Sequence, residues 1–141
     1  MKKIILCIAL VFSITSFIYA QQKVHQIVFD FTKSDTASFS TIVRHAKNIM
    51  NMTGGKAKLE VVCHGPGLDL LLKDKTSVEK EIEELQGKFN VVFSACEMTM
   101  QRRGIDKSQL LKQATTVPAA NLEFSSKQQE GWSYIKSGYN P

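Results

Sequence analysis

Cysteine is scarce in this chain, with three in 141 residues, and there are only three prolines and one tryptophan. So few cysteines exclude a disulfide-stapled miniprotein. Eight glycines and three prolines are too few for a collagenous or low-complexity chain. Short catalytic signatures are missing too. There is no CxxC, no HExxH, no Ser-His-Asp order and no pair of carboxylates set for acid–base work, so ordinary hydrolase and zinc readings have no support. Gly65-Pro66-Gly67 lacks the Lys-Ser or Lys-Thr that follows a Walker glycine, and reads as turn chemistry. Positive charge is not concentrated. The 18 Lys plus Arg are dispersed among 13 Asp plus Glu, and no aromatics interleave with a basic stripe, which argues against nucleic acid as a partner. What is present, 43% hydrophobic residues over this length, fits one globular domain without repeats or linkers.

The first twenty residues have a different character. Lys2 and Lys3 precede an apolar run from Ile4 to Ile14, and Ile18-Tyr19-Ala20 stands before Gln21, the order of a secretory signal peptide cleaved after Ala20. Ser13, Thr15 and Ser16 break the run below the roughly 20 apolar residues of a spanning helix. The expectation is a periplasmic or secreted protein of residues 21–141 with no stable membrane anchor after cleavage. Losing Lys2 and Lys3 lowers the net charge from +5 to +3. Losing Cys7 leaves Cys63 and Cys96, and spacing alone does not decide whether they pair.

Periodicity then alternates between short apolar runs and amphipathic stretches. Val24 to Phe31 has the composition of a buried strand. A helix is expected from about Ala37 to Met52, capped from Ser34 to Thr36 and stopped by Gly54-Gly55, with Phe39, Ile42, Val43, Ala46, Ile49 and Met50 on one face. Lys58 to Cys63 reads as a second strand, and Ser77 as the cap of an acidic helix ending at Gly87. Phe89 to Ala95 reads as a third strand running into a short helix closed by Gly104. Thr115 to Val117, a helix from about Ala119 to Glu130, and Trp132 to Ile135 complete the pattern. Strands alternating with helices imply an α/β fold with a mainly parallel sheet of four to five strands, covered on both faces.

In such sheets reactive groups gather beyond the carboxyl ends of the strands. Two clusters fall there, Cys63-His64-Gly65-Pro66-Gly67 and Ala95-Cys96-Glu97-Met98-Thr99-Met100. A thiol at the amino end of a helix faces unpaired N–H groups that favour the thiolate, which makes Cys96 the candidate nucleophile. His64 is the candidate proton acceptor, or the group that holds the thiolate, if the two loops converge. Arg103, seven residues beyond Cys96, points near the same helix face, as support for an anion or as solvated surface charge.

Those clusters, with Arg103-Gly104-Ile105, Val117-Pro118-Ala119 and Gln129-Glu130-Gly131-Trp132-Ser133-Tyr134-Ile135-Lys136, resemble the DsrE/DsrF family over nearly all of the chain beyond the leader. The resemblance implies a three-layer α/β/α sandwich and small homo-oligomers. In its sulfur-handling members it also implies a cysteine at the position of Cys96 that carries sulfane sulfur as a persulfide, exchanged with a donor or acceptor protein or a small sulfur species. No cofactor is implied. The family's strand order, 4-3-2-1-5, makes strands two and three neighbours and brings Cys63 and Cys96 within reach of a disulfide. A flavodoxin-like order would hold their tips roughly 9 to 10 Å apart, too far for one.

Two other readings stand beside sulfur transfer. Some members lack the cysteine, so this chain can also be read as a non-catalytic oligomeric or small-ligand-binding module of the same fold. Soft ligands select Cu(I), so Cys63, His64, Cys96 and one methionine could also form a soft-metal or thiol-redox site.

Overall fold

The alternating segments fold into five parallel strands and four α-helices among the residues that the computed structural model describes, 24–137. In chain order these are β1 (Gln26–Phe31), α1 (Thr36–Met52), β2 (Lys58–Cys63), α2 (Glu79–Phe89), β3 (Val92–Cys96), α3 (Glu97–Arg103), β4 (Ala114–Val117), α4 (Ala120–Gln129) and β5 (Ser133–Ser137). Two 3-10 segments, Gly65–Leu71 and Lys107–Gln109, connect them. The sheet order is β4-β3-β2-β1-β5, every pair parallel, which is the expected α/β architecture. The leader segment and Cys7 lie outside the described residues. No described helix is long and apolar enough to cross a membrane.

Side chains alternate between the faces of a strand, and here the two faces carry unequal cores. Phe29, Phe31, Leu59, Val61, Phe93 and Ala95 point to one side, where Phe39, Ile42 and Met50 of α1 and Ile82 and Leu85 of α2 cover them. Leu68, Leu70 and Leu71 of the first 3-10 segment close the same layer at the carboxyl ends of the strands. The second face is smaller. Val28, Val62, Cys96 and Val117 meet Ala120 and Phe124 of α4, with Trp132 at the margin. Polar groups are interleaved there. Ser94 Oγ donates to buried Glu60 at 2.6 Å, and Lys127 of α4 reaches the same carboxylate at 3.1 Å. Helices on both faces make the three-layer sandwich, with α4 the main cover of the second.

Register separates the two cysteines despite their neighbouring strands. Cys63 lies opposite Ala95, and both belong to the larger core, while Cys96 is one residue further on and belongs to the smaller. The thiols therefore point to opposite faces of the sheet, and both are free. Strand adjacency brought the backbones close, and the pleat turned the side chains apart.

Several boundaries differ from the expected ones for local reasons. The cap of α1 is not among them, since Asp35, inside the expected stretch Ser34 to Thr36, accepts from Ser38 N at 2.8 Å. The second helix is not capped by Ser77. Its N-cap is Val78 without a side-chain bond, and it runs through Gly87 to Phe89, where Asn90 in the left-handed region (φ 55°) ends it. Nothing lies within 4 Å of where a Cβ on Gly87 would stand, and a glycine inside a helix weakens it without breaking it. Accordingly β3 starts at Val92, three residues later than the pattern suggested.

Candidate functional site

Cys96 is the last residue of β3 and the N-cap of α3. Its pairing with Val117, three residues before Ala120, sets the beginning of α4 beside the same sulfur. The thiol is thus held between the first turns of two helices. Burial raises its pKa, but hydrogen bonds from the Thr99 hydroxyl and from the backbone N–H groups of Thr99, Ala120 and Met98 outweigh that, and the net shift is below the ordinary thiol value of 9.0. A thiolate at this position has donors already in place. The residue is only 4% exposed, so reagents reach the sulfur through a cavity rather than across open surface.

That cavity, about 170 Å³, is walled by His64, Cys96, Met98, Thr99, Arg102 and Asn121 among others. The two loops expected to converge do so here. His64 leaves β2 as the N-cap of the first 3-10 segment, and its own N–H donates to Phe31 O at 3.2 Å. Gly67 must be glycine, since a Cβ there would stand 2.3 Å from Phe31 O. The Thr99 hydroxyl accepts from Gly65 N at 3.2 Å as well as bonding Cys96, so one buried side chain ties the histidine loop to the thiol. Arg103 adds a second tie. Its guanidinium donates to Gly65 O at 3.0 Å and pairs with Asp69.

Behind His64 lies a buried carboxylate. His64 Nε2 meets Asp30 Oδ1 at 2.8 Å, and the Tyr134 hydroxyl donates to Asp30 Oδ2 at 2.6 Å. Burial raises the Asp30 pKa, but the hydrogen bonds from His64 and Tyr134, helped by the nearby Lys136 charge, bring it below the usual carboxylate value. The same bond pushes the Tyr134 phenol up to about 12. Phe124 sets its ring edge-on against both His64 and Tyr134, with centroids 5.9 and 5.3 Å away.

Cys96 and His64, the two residues singled out from sequence, therefore line one cavity. Cys63 does not join them. It is fully buried in the opposite core, and burial pushes its thiol pKa far up. This separates the donor set of a soft-metal or two-thiol redox site, and among the described residues no three His, Cys, Asp or Glu side chains are placed to hold a metal ion. Of the two neighbouring arginines, Arg103 anchors the histidine loop while Arg102 faces the cavity. Sequence reasoning missed Asp30, Thr99, Ala120 and Tyr134. A carboxylate inside the run Ile27-Val28-Phe29-Asp30-Phe31 was one available signal, and a threonine three residues after a capping cysteine was another.

A model of the DsrE/DsrF-like family matches residues 25–137. Among solved structures, the chain is similar to a protein of unknown function from Methanobacterium thermoautotrophicum, at 27% identity and a TM-score of 0.73, over 79% of this chain and 98% of that one. It is also similar in fold to the ychN protein from E. coli, at 13% identity and a TM-score of 0.65, over 80% of this chain and 98% of the other. A conserved protein of unknown function from Bacteroides thetaiotaomicron matches at 17% identity and a TM-score of 0.64, over 79% and 93% of the two chains. No curated protein sequence matches this chain.

Proposed function

The chain belongs to the DsrE/DsrF-like family, and from that premise we propose that it binds sulfane sulfur reversibly, as a persulfide on Cys96. The observation that carries this reading is the thiol itself, a sulfur with a lowered pKa, supplied with hydrogen-bond donors from two helix starts and opening onto a cavity shared with His64. Thiolate is the nucleophilic form. It attacks the outer sulfur of a persulfide or polysulfide donor, R–S–SH. The donor's S–S bond breaks, its electron pair leaves on RS⁻, and Cys96 keeps the transferred sulfur with its proton as S–SH. No oxidant is required, because the sulfur arrives already at the sulfane level. Hydrosulfide alone lacks that oxidation level and yields no adduct.

Intact-mass measurement after polysulfide treatment tests the proposal. The expected result is a gain of one or more sulfur atoms that is lost in Cys96→Ser and removed by a reducing thiol. Absence of any adduct on reduced protein whose Cys96 can be alkylated favours the second reading, a ligand-binding module, which the 4% exposure of Cys96 suits.

Export and self-assembly belong to the same proposal. The pattern from Met1 to Ala20 supports secretion, and N-terminal sequencing of the protein recovered from the periplasm or medium should begin at Gln21. β5 is an edge strand on which Tyr134 and Ile135 are about 40% exposed, a surface suited to a second copy of the chain. Sedimentation velocity should find a homo-oligomer rather than a monomer.

A further inference from the structure

Asp30 is 6% exposed, and each of its oxygens is engaged by one side chain, His64 on Oδ1 and Tyr134 on Oδ2. An ionised carboxylate only accepts hydrogen bonds. Both neighbours must therefore donate, which places a proton on His64 Nε2. In the neutral ring Nδ1 is then the one nitrogen able to accept, it has no partner among the described residues, and His64 and Cys96 line one cavity without bonding each other directly. Phe124 packs against both rings and holds the trio together. The other charges facing this group are Lys136 of β5, which acts on Asp30, and Arg102 of α3 at the cavity wall.

Resting on the sulfur-transfer reading above, we propose that Asp30 and Tyr134 are positioning residues that fix the tautomer of His64, so that Nδ1 takes the Cys96 thiol proton across their shared cavity, relayed by one water, and later returns it to the sulfur donor's leaving thiolate. In the first step the S–H bond breaks, an N–H bond forms at Nδ1, and the electron pair stays on sulfur. Asp30 stabilises the imidazolium so formed. After the thiolate has attacked and the donor's S–S bond has broken, RS⁻ takes the Nδ1 proton and leaves as RSH. Charge and protons balance over the two steps, and the histidine returns to its starting form. The carboxylate touches neither thiol nor donor, and acts only through the ring.

Cys96 alkylation by iodoacetamide, followed against pH by peptide-mapped mass spectrometry in the full chain, tests this without any sulfur donor. Asp30→Asn supplies an amide that can donate to Nε2 and so move the ring proton to Nδ1. The alkylation rate near neutral pH should fall about tenfold or more, as it should in His64→Ala, and all variants should converge with the wild type well above the ordinary thiol pKa of 9.0. Adding Asp30→Asn to His64→Ala should change nothing further, since the carboxylate works through the ring. Tyr134→Phe, at a partly exposed position, should give a fall of about threefold that likewise vanishes in the His64→Ala background, and it decides the matter if the buried Asp30 variant does not fold. An unchanged pH profile in these variants, or an equal loss with and without His64, overturns the proposal. Coupled alkylation without a polysulfide adduct sinks the sulfur reading and keeps the positioning role. An adduct without coupling does the reverse.

Discussion

Thr99 is the residue on which the reactive geometry turns. Its hydroxyl serves Cys96 on one side and the Gly65 amide on the other, from a position 2% exposed. Thr99→Val keeps the shape and deletes both bonds. Removing one hydrogen bond to an ionised group is worth about 1.5 kcal/mol, or about one unit in the thiol pKa. Cys96 alkylation near pH 7 should slow by up to about tenfold, as read by mass spectrometry, because less thiolate is present. Tyr134 allows a stability prediction with a definite sign. Its folded pKa of about 12 lies above the ordinary 10.0, so the bond to Asp30 contributes fully below about pH 10 and is lost as pH rises through 12. Tyr134→Phe should cost about 1 kcal/mol in denaturant unfolding at neutral pH, and the gap from wild type should close at strongly alkaline pH. Asp30 has the opposite sign. With a folded pKa below the ordinary 3.8, its contribution is present above that value and disappears as pH falls through the folded one. Cys96 and His64 were legible in sequence because each ends an apolar strand run next to helix or turn chemistry. Asp30 and Tyr134 were not, because they are 104 residues apart and meet only through the pairing of β1 with β5.

At the scale of elements, the site is a junction of chain reversals held in place by close backbone approach. The first 3-10 segment lies so close to β1 that an added Cβ on Gly67 would be 2.3 Å from Phe31 O and 2.7 Å from Thr32 Cα. Backbone at that distance has no rotamer with which to yield. Gly67→Ala should therefore destabilise by about 2 to 4 kcal/mol in chemical denaturation. It should also slow Cys96 modification, because the displaced segment carries His64. Gly65, with φ of +53° and open space at its Cβ position, makes a useful contrast. There the expected loss on Gly65→Ala is about 1 to 2 kcal/mol, from backbone conformation alone. Strands and helices were legible as alternating apolar runs, and so was the Asp35 cap of α1, whereas the ends of α2 were set by Val78 and Asn90, whose roles depend on local geometry that composition does not specify.

Across the whole molecule the two faces of the sheet perform different tasks. The larger core, built from α1, α2 and the leucines of the first 3-10 segment, supplies most of the apolar burial. The smaller one carries the thiol, the Asp30 group and the Glu60–Lys127 pair under α4. Phe124 is the chief apolar contact of that cover and also the ring between His64 and Tyr134. Phe124→Ala should cost about 3 kcal/mol in unfolding free energy, and it should loosen the His64 group as well. A sheet covered on both faces was legible from the succession of strands and helices, but the inequality of the two covers was not. α4 shows little helical segregation of apolar residues, with Leu122 exposed and only Ala120 and Phe124 buried.

The opposed orientation of Cys63 and Cys96 has a kinetic meaning. In many thiol proteins a second cysteine expels whatever the first has acquired, closing a disulfide and ending the adduct's life within the same molecule. Here the neighbouring strand's thiol faces the other side of the sheet and has no route to the sulfur on Cys96. An atom placed on Cys96 has no resolving partner among the described residues, so none of their thiols shortens its lifetime. Such an arrangement suits custody of a sulfur atom rather than its rapid discharge.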